Sequence, residues 1–211
     1  MTEPVLIPGA RDVRASLDTA ASDGSQADAV VVACPPHPQQ RGHRGDERLV
    51  AVSDALAERG IDCLRFDYGD WDEGYGESTD ADRAVSWAVE RYDRVGLFGF
   101  SFGGTVALVA AGSRPGLVCV CALAPTARLN DDVDAVDALA DLVDHGVPVR
   151  ICYATRDSTA EWEPVVDRAR ALGAETVAFD ADHFFVGRGG AVGEAVATFF
   201  VAHLDGPVDV D

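Results

Sequence analysis

Gly99-Phe100-Ser101-Phe102-Gly103-Gly104 decides the reading of this chain. An apolar run, residues 94–100, leads into it, and the small-residue run Thr105-Val-Ala-Leu-Val-Ala-Ala111 leads out. The first run has strand character and the second helical character. Strand, G-x-S-x-G and helix in succession is the layout of a nucleophile elbow. The turn is sharp, so the residues two before and two after the serine must be small, and they are Gly99 and Gly103. The helix that starts at once turns its N-terminal amides toward a developing negative charge.

Outward from this turn, strands and helices alternate. Ala29-Val-Val-Val-Ala-Cys34 is a continuous apolar run, the pattern of a strand buried on both faces. Strands are expected at 61–66, 94–100, 116–124, 148–154 and 175–179. Helices are expected at 49–59, 80–92, 102–111, 130–145, 159–172 and 191–204. Residues 67–77 read as a glycine- and acid-rich loop, and 206–211 as a tail. Val5-Leu-Ile7 and Val13-Arg-Ala-Ser-Leu-Asp-Thr19 flank a Pro-Gly and read as an N-terminal antiparallel pair. The pattern predicts an α/β fold in one domain, 1–211, with its core at about 29–204. A doubly wound, mostly parallel sheet is flanked by helices and preceded by that pair. A site then belongs at the carboxyl ends of the strands. Only one helix is expected between the strands at 116–124 and 148–154, so any cap is minimal.

Composition narrows the function classes. Hydrophobic residues make up 47% of the 211, enough for a globular core. No run approaches the ~18 apolar residues that span a bilayer, and residues 1–8 lack the basic and apolar regions of a signal peptide; a cytoplasmic protein is expected. The 36 acids against 17 basic residues leave a net charge of −19, and every basic residue is arginine. Such a surface repels nucleic acid and anionic membranes. It resembles the surfaces of proteins from salt-loving archaea. The five cysteines, Cys34, Cys63, Cys119, Cys121 and Cys152, fall in apolar strands and form no C-x-x-C pair. They read as buried, reduced thiols.

A serine hydroxyl needs a base beside it. Of the five histidines, His183 follows the last expected strand, in Asp180-Ala-Asp-His-Phe-Phe185, and precedes the last helix. An acid must hold the imidazole, and Asp157 follows the strand at 148–154; Asp182 is its nearest competitor. The oxyanion needs two backbone donors. Phe102 N–H is one; Gln39 N–H, in Pro35-Pro-His-Pro-Gln-Gln-Arg-Gly42, is the expected second, ahead of Gln40. His37, Trp71 and Phe100 are candidate walls of the substrate pocket, although Phe100 equally suits the core. His37 and His43 have no neighbouring carboxylate or thiol pattern, so no metal site is expected.

On these residues the chain resembles an α/β-hydrolase, of the small lidless esterases grouped with the dienelactone hydrolases. The resemblance spans about residues 29 to 204. It rests on Pro36-His-Pro38, Leu64-Arg-Phe-Asp67, Gly99-Phe-Ser-Phe-Gly-Gly104, Thr155-Arg-Asp157 and Asp182-His-Phe-Phe185. The order Ser101, Asp157, His183 is the order of that superfamily. The resemblance implies cleavage of a small-molecule ester or thioester by a serine nucleophile, without a cofactor. Two departures stand out. Dienelactone hydrolase proper uses a cysteine where this chain has Ser101, and Gln39-Gln40 stands where relatives often carry paired glycines. A fold kept for ligand or partner binding, and acyl transfer to an acceptor other than water, are the alternatives.

Overall fold

The computed structural model describes residues 1–9, 11, 13–21, 26–114 and 116–204; the expected tail at 206–211 lies outside them. Strands β1 (Thr2–Ile7), β2 (Val13–Asp18), β3 (Ala29–Cys34), β4 (Asp62–Phe66), β5 (Arg94–Phe100), β6 (Cys119–Leu123), β7 (Val149–Ala154) and β8 (Glu175–Phe179) form one sheet. Its order is β1-β2-β4-β3-β5-β6-β7-β8. β1 and β2 pair antiparallel, as do β2 and β4, and from β4 to β8 every pairing is parallel.

The continuous apolar runs are strands with both faces covered. In β3, Val30, Val32 and Cys34 join one core and Ala29, Val31 and Ala33 the other. The first core receives helices α2 (Tyr75–Val89), α3 (Phe102–Gly112), α4 (Ala135–Asp144) and α5 (Glu163–Ala171). The second receives α1 (Glu47–Ala57) and α6 (Gly189–Leu204), through Leu49, Val52 and Leu56 and through Val192, Val196, Phe199 and Phe200. All five cysteines are buried and free. Burial pushes the Cys63 thiol up to about 12, beyond nucleophilic use near neutrality. Among the described residues no helix is long and apolar enough to cross a membrane.

Two helices start five residues from where the sequence pattern puts them. α2 begins at Tyr75, inside the expected loop. Glu77, which reads as a solvated loop acid, is fully buried. Its carboxylate accepts the N–H groups of Asp72 at 3.0 Å and Gly74 at 2.9 Å, closing the first turn as a capping box does. α4 begins only at Ala135, because Asp134 caps it by accepting from Val136 N–H at 2.8 Å. The Asn130 side chain meanwhile accepts Val133 N–H at 2.8 Å in a separate turn.

The parallel register aligns the strand ends. Cys34 lies beside Gly99, Phe100 beside Leu123, Leu123 beside Cys152, and Ala154 beside Phe179. The loops after β3, β5, β7 and β8 therefore open at one edge of the sheet, where the candidate site stands. The segment between β6 and β7 holds α4 and no larger insertion.

Candidate active site

Ser101 occupies the turn between β5 and α3 with φ 55°, a conformation that costs a non-glycine residue about 1–3 kcal/mol. The surroundings impose it. Ser101 N–H donates to Leu123 O at 2.8 Å, and Ser101 O accepts Gly104 N–H at 2.8 Å. A Cβ on Gly99 would stand 2.0 Å from Gly103 O, so the chain enters and leaves the turn with its backbones in contact.

Ser101 Oγ lies 2.9 Å from His183 Nε2, and His183 Nδ1 lies 2.6 Å from Asp157 Oδ2. The short contact to a carboxylate assigns the ring proton to Nδ1, leaving the Nε2 lone pair to receive the serine proton. The His183 side chain is 5% exposed and that of Asp157 fully buried. The second Asp157 oxygen is also occupied: Oδ1 accepts Thr159 N–H at 2.8 Å and Ala160 N–H at 3.0 Å. The carboxylate thus has no freedom to turn away from the imidazole. Asp182 has a different task. Its Oδ1 accepts Phe184 N–H at 3.0 Å and shapes the turn that carries His183.

Sequence reasoning missed two supports of this arrangement. The Trp162 indole N–H donates to Asp157 O at 3.2 Å, with its ring stacked on Tyr153 at 4.9 Å. The Arg48 guanidinium lies 4.6 Å from the centre of the Phe100 ring, whose own centre is 5.3 Å from that of His183. No local pattern marks Trp162. Arg48 falls one residue before the helix expected at 49–59, where it reads as one more surface charge; the structure puts it in the first turn of α1.

The pocket candidates separate. Phe100 is 1% exposed and packs behind His183 and against Phe185. It is therefore core, because β5 is covered on both faces, and not a wall. His37 stacks on Trp71 at 4.5 Å, and both lie against Phe102, at 5.0 and 5.7 Å. The loop carrying Trp71 is anchored by buried Asp80, which accepts from Arg11 Nε at 3.0 Å and from Gly69 N–H at 2.9 Å. Burial holds the His37 imidazole below its ordinary titration range, while the Glu77 charge pulls the other way.

Phe102 N–H is the first amide of α3, one of those a helix leaves without an internal partner. Gln39 requires a correction. Its N–H donates to His37 Nδ1 at 3.2 Å, within a 3-10 turn at Pro38–Gln40 that His37 caps. Gln40 N–H is likewise held, by His37 O at 2.9 Å. A free backbone donor at Gln39 is what the sequence leads one to expect; in the structure that amide is already bonded.

A family model described as X-Pro dipeptidyl-peptidase (S15 family) matches residues 66–164. No curated protein matches the chain. Solved structures do. An alpha-beta serine hydrolase homologue from Coxiella burnetii is 23% identical with a TM-score of 0.78, covering 94% of this chain and 98% of its own. An a/b serine hydrolase without lid from Xanthomonas campestris is 21% identical, TM-score 0.74, covering 94% of both chains. Dienelactone hydrolase from Anabaena variabilis is 20% identical, TM-score 0.75, covering 96% of this chain and 98% of its own. At such identities the likeness speaks for architecture: the eight-stranded, mostly parallel sheet with its antiparallel N-terminal pair and flanking helices is the α/β-hydrolase fold.

Proposed function

We propose that the protein is a serine hydrolase cleaving carboxylic esters or thioesters of small acyl groups through an acyl-enzyme on Ser101. The observation that carries this reading is the continuous contact from Ser101 Oγ to His183 Nε2 at 2.9 Å and from His183 Nδ1 to Asp157 at 2.6 Å. The mechanism follows from it. His183 Nε2 takes the Ser101 proton as Oγ attacks the carbonyl carbon, and Asp157 stabilises the imidazolium. The oxyanion forms against Phe102 N–H at the positive end of α3. Collapse breaks the bond to the leaving group, which departs with the His183 proton. Water, deprotonated by the same imidazole, then releases the acid and restores Ser101. Small acyl groups fit the short β6–β7 connection, which supplies only α4 as cover.

Amide cleavage is the second reading. Its support is the match to the X-Pro dipeptidyl-peptidase model over 66–164, a span that includes Ser101 and Asp157 but not His183.

One set of assays tests both. A fluorophosphonate probe is expected to label wild-type protein and not Ser101→Ala. p-Nitrophenyl esters and acyl thioesters of graded length are expected to turn over faster than an X-Pro p-nitroanilide. The opposite order assigns the site to peptides. Absence of labelling together with absence of turnover refutes the hydrolase reading, and transfer of the acyl group to added alcohol or amine in preference to water replaces hydrolysis with acyl transfer.

A further inference from the structure

We infer that Phe184 and Val186 form the leaving-group side of the Ser101 site and select esters of apolar, ring-bearing alcohols. This rests on the ester-cleavage reading above.

Large hydrophobic side chains are seldom left in water among the described residues, yet two of them stand in the consecutive turns 182–185 and 185–188, Phe184 against the His183 ring and Val186 two residues on. Phe184 is 52% exposed and Val186 78%, while Phe185 between them is 2% exposed. The exposure does not come from a loose turn. Phe184 N–H is held by Asp182 Oδ1 at 3.0 Å, Phe185 N–H by Asp182 O at 3.1 Å, and Phe185 O by Arg188 N–H at 2.9 Å. The buried Phe185 ring is wedged between Phe100 at 6.3 Å and Phe179 at 5.6 Å. A fixed backbone thus presents two apolar side chains outward, an arrangement that invites an apolar partner.

The chemistry says which part of the substrate that partner is. Acylation forms the bond from Ser101 Oγ to the carbonyl carbon. It breaks the bond from that carbon to the alcohol oxygen, which keeps the electron pair. The proton Ser101 gives up reaches that oxygen from His183 Nε2. The leaving oxygen must therefore come within about 3 Å of Nε2. The carbon it carries then lies beside whatever flanks the imidazole. The Phe184 ring does so, edge-on, with centres 5.3 Å apart. The carbonyl oxygen is directed instead to Phe102 N–H, and the acyl substituent takes the remaining direction. The Phe184 and Val186 pair meets the alcohol.

The test uses acetates of ethanol, cyclohexylmethanol and benzyl alcohol, whose leaving groups are of similar basicity, together with ethyl butyrate. Acid release gives kcat/KM for each. Wild-type protein is expected to favour the ring-bearing alcohols over ethanol. Phe184→Ala is expected to cut that preference about tenfold, the scale of one lost apolar contact in a pocket. Val186→Ser is expected to cut it less, and Phe184→Leu to keep most of it. The acetate-to-butyrate ratio is expected to be the same in wild type and Phe184→Ala. An unchanged benzyl-to-ethyl ratio in Phe184→Ala and Val186→Ser overturns the inference while the ester reading stands, as does a loss confined to the acyl ratio. A wild-type protein that hydrolyses none of these esters and takes no fluorophosphonate label overturns both.

Discussion

Gly103 meets Pro35 backbone to backbone: a Cβ on Gly103 would stand 2.3 Å from the Pro35 carbonyl oxygen and as close to that of Cys34. The serine turn and the loop after β3 are therefore set against each other by the absence of one methyl group. Gly103→Ala must push them apart, and backbone atoms yield less readily than side chains. A loss of about 1–3 kcal/mol is expected, as for other overpacked interiors, together with slower acylation. Gly104→Ala, whose Cβ would meet nothing closer than 3.3 Å, is expected to be milder. Thermal melts and fluorophosphonate labelling rates of the two variants check this; equal effects would mean that the loop spacing is not at stake.

On the proposed mechanism the contact from Ser101 through His183 to Asp157 works as one unit. Ser101→Ala and His183→Ala are each expected to lower kcat by at least about a thousandfold, and combining them to add little. Asp157→Ala is expected to cost less, since it holds the base and moves no proton. Asp182→Ala removes the acceptor of Phe184 N–H and is expected to act on stability, by about 0.5–2 kcal/mol as for a lost cap. Melts and steady-state kinetics on the four variants separate the roles. Near-native turnover in Asp157→Ala beside an inactive Asp182→Ala would reverse the assignment of the two acids.

The bond from Gln39 N–H to His37 Nδ1 exists only while the imidazole is neutral. Burial lowers the His37 titration point, with Glu77 opposing. The unfolded chain therefore takes up the proton first as pH falls. The stability this arrangement contributes is complete above the ordinary imidazole range, near pH 6.5. It declines as pH drops through the lower folded value. His37→Phe keeps a ring against Trp71 but loses the acceptor. Its melting temperature is expected to fall furthest behind wild type above neutrality, and the gap to narrow in acid. A gap that is constant with pH would show that the ring stack alone matters.

With a net charge of −19 the surface repels itself, and unfolding relieves the repulsion. The Debye length falls from about 30 Å at 0.01 M salt to about 3 Å at 1 M. The acids on the loop after β4, among them Asp70, Asp72 and Glu73, also face approaching anions. Stability and turnover of neutral esters are expected to rise from dilute to molar KCl, with anionic substrates gaining most. A melting temperature that stays flat or falls over that range would show that the acids are individually well solvated.

Much of this architecture is legible because burial on both faces leaves a plain mark. The runs at β3, β5 and β6 show no alternation, and the turn at Ser101 needs glycines at fixed offsets. His183 is legible by elimination and by its place after the last strand. Other features depend on partners far along the chain. Glu77 and Asp80 look like solvated acids until Arg11 and the amides of Gly69, Asp72 and Gly74 are seen around them. Whether Gln39 N–H is free depends on where the His37 side chain turns, which spacing does not encode. Phe100 borders Ser101 in sequence, yet strand alternation sends its ring behind His183.

The guanidinium groups that tie this molecule together do so by reaching two partners at once. Arg44 joins Ser16 and Asp67, Arg114 joins Asp82 and Ser86, and Arg150 joins Glu175 and the Ala195 carbonyl. A single ammonium is a point donor and cannot hold the same fork. The choice has a chemical corollary. With all 17 basic side chains arginine, the chain carries no ε-amine. An acyl group carried on Ser101, as the proposed mechanism has it, would meet no lysine side chain on the protein's own surface. Amine-directed cross-linkers, dyes and solid supports find no side-chain target either, whereas carboxylate coupling has the exposed members of a set of 36 acids.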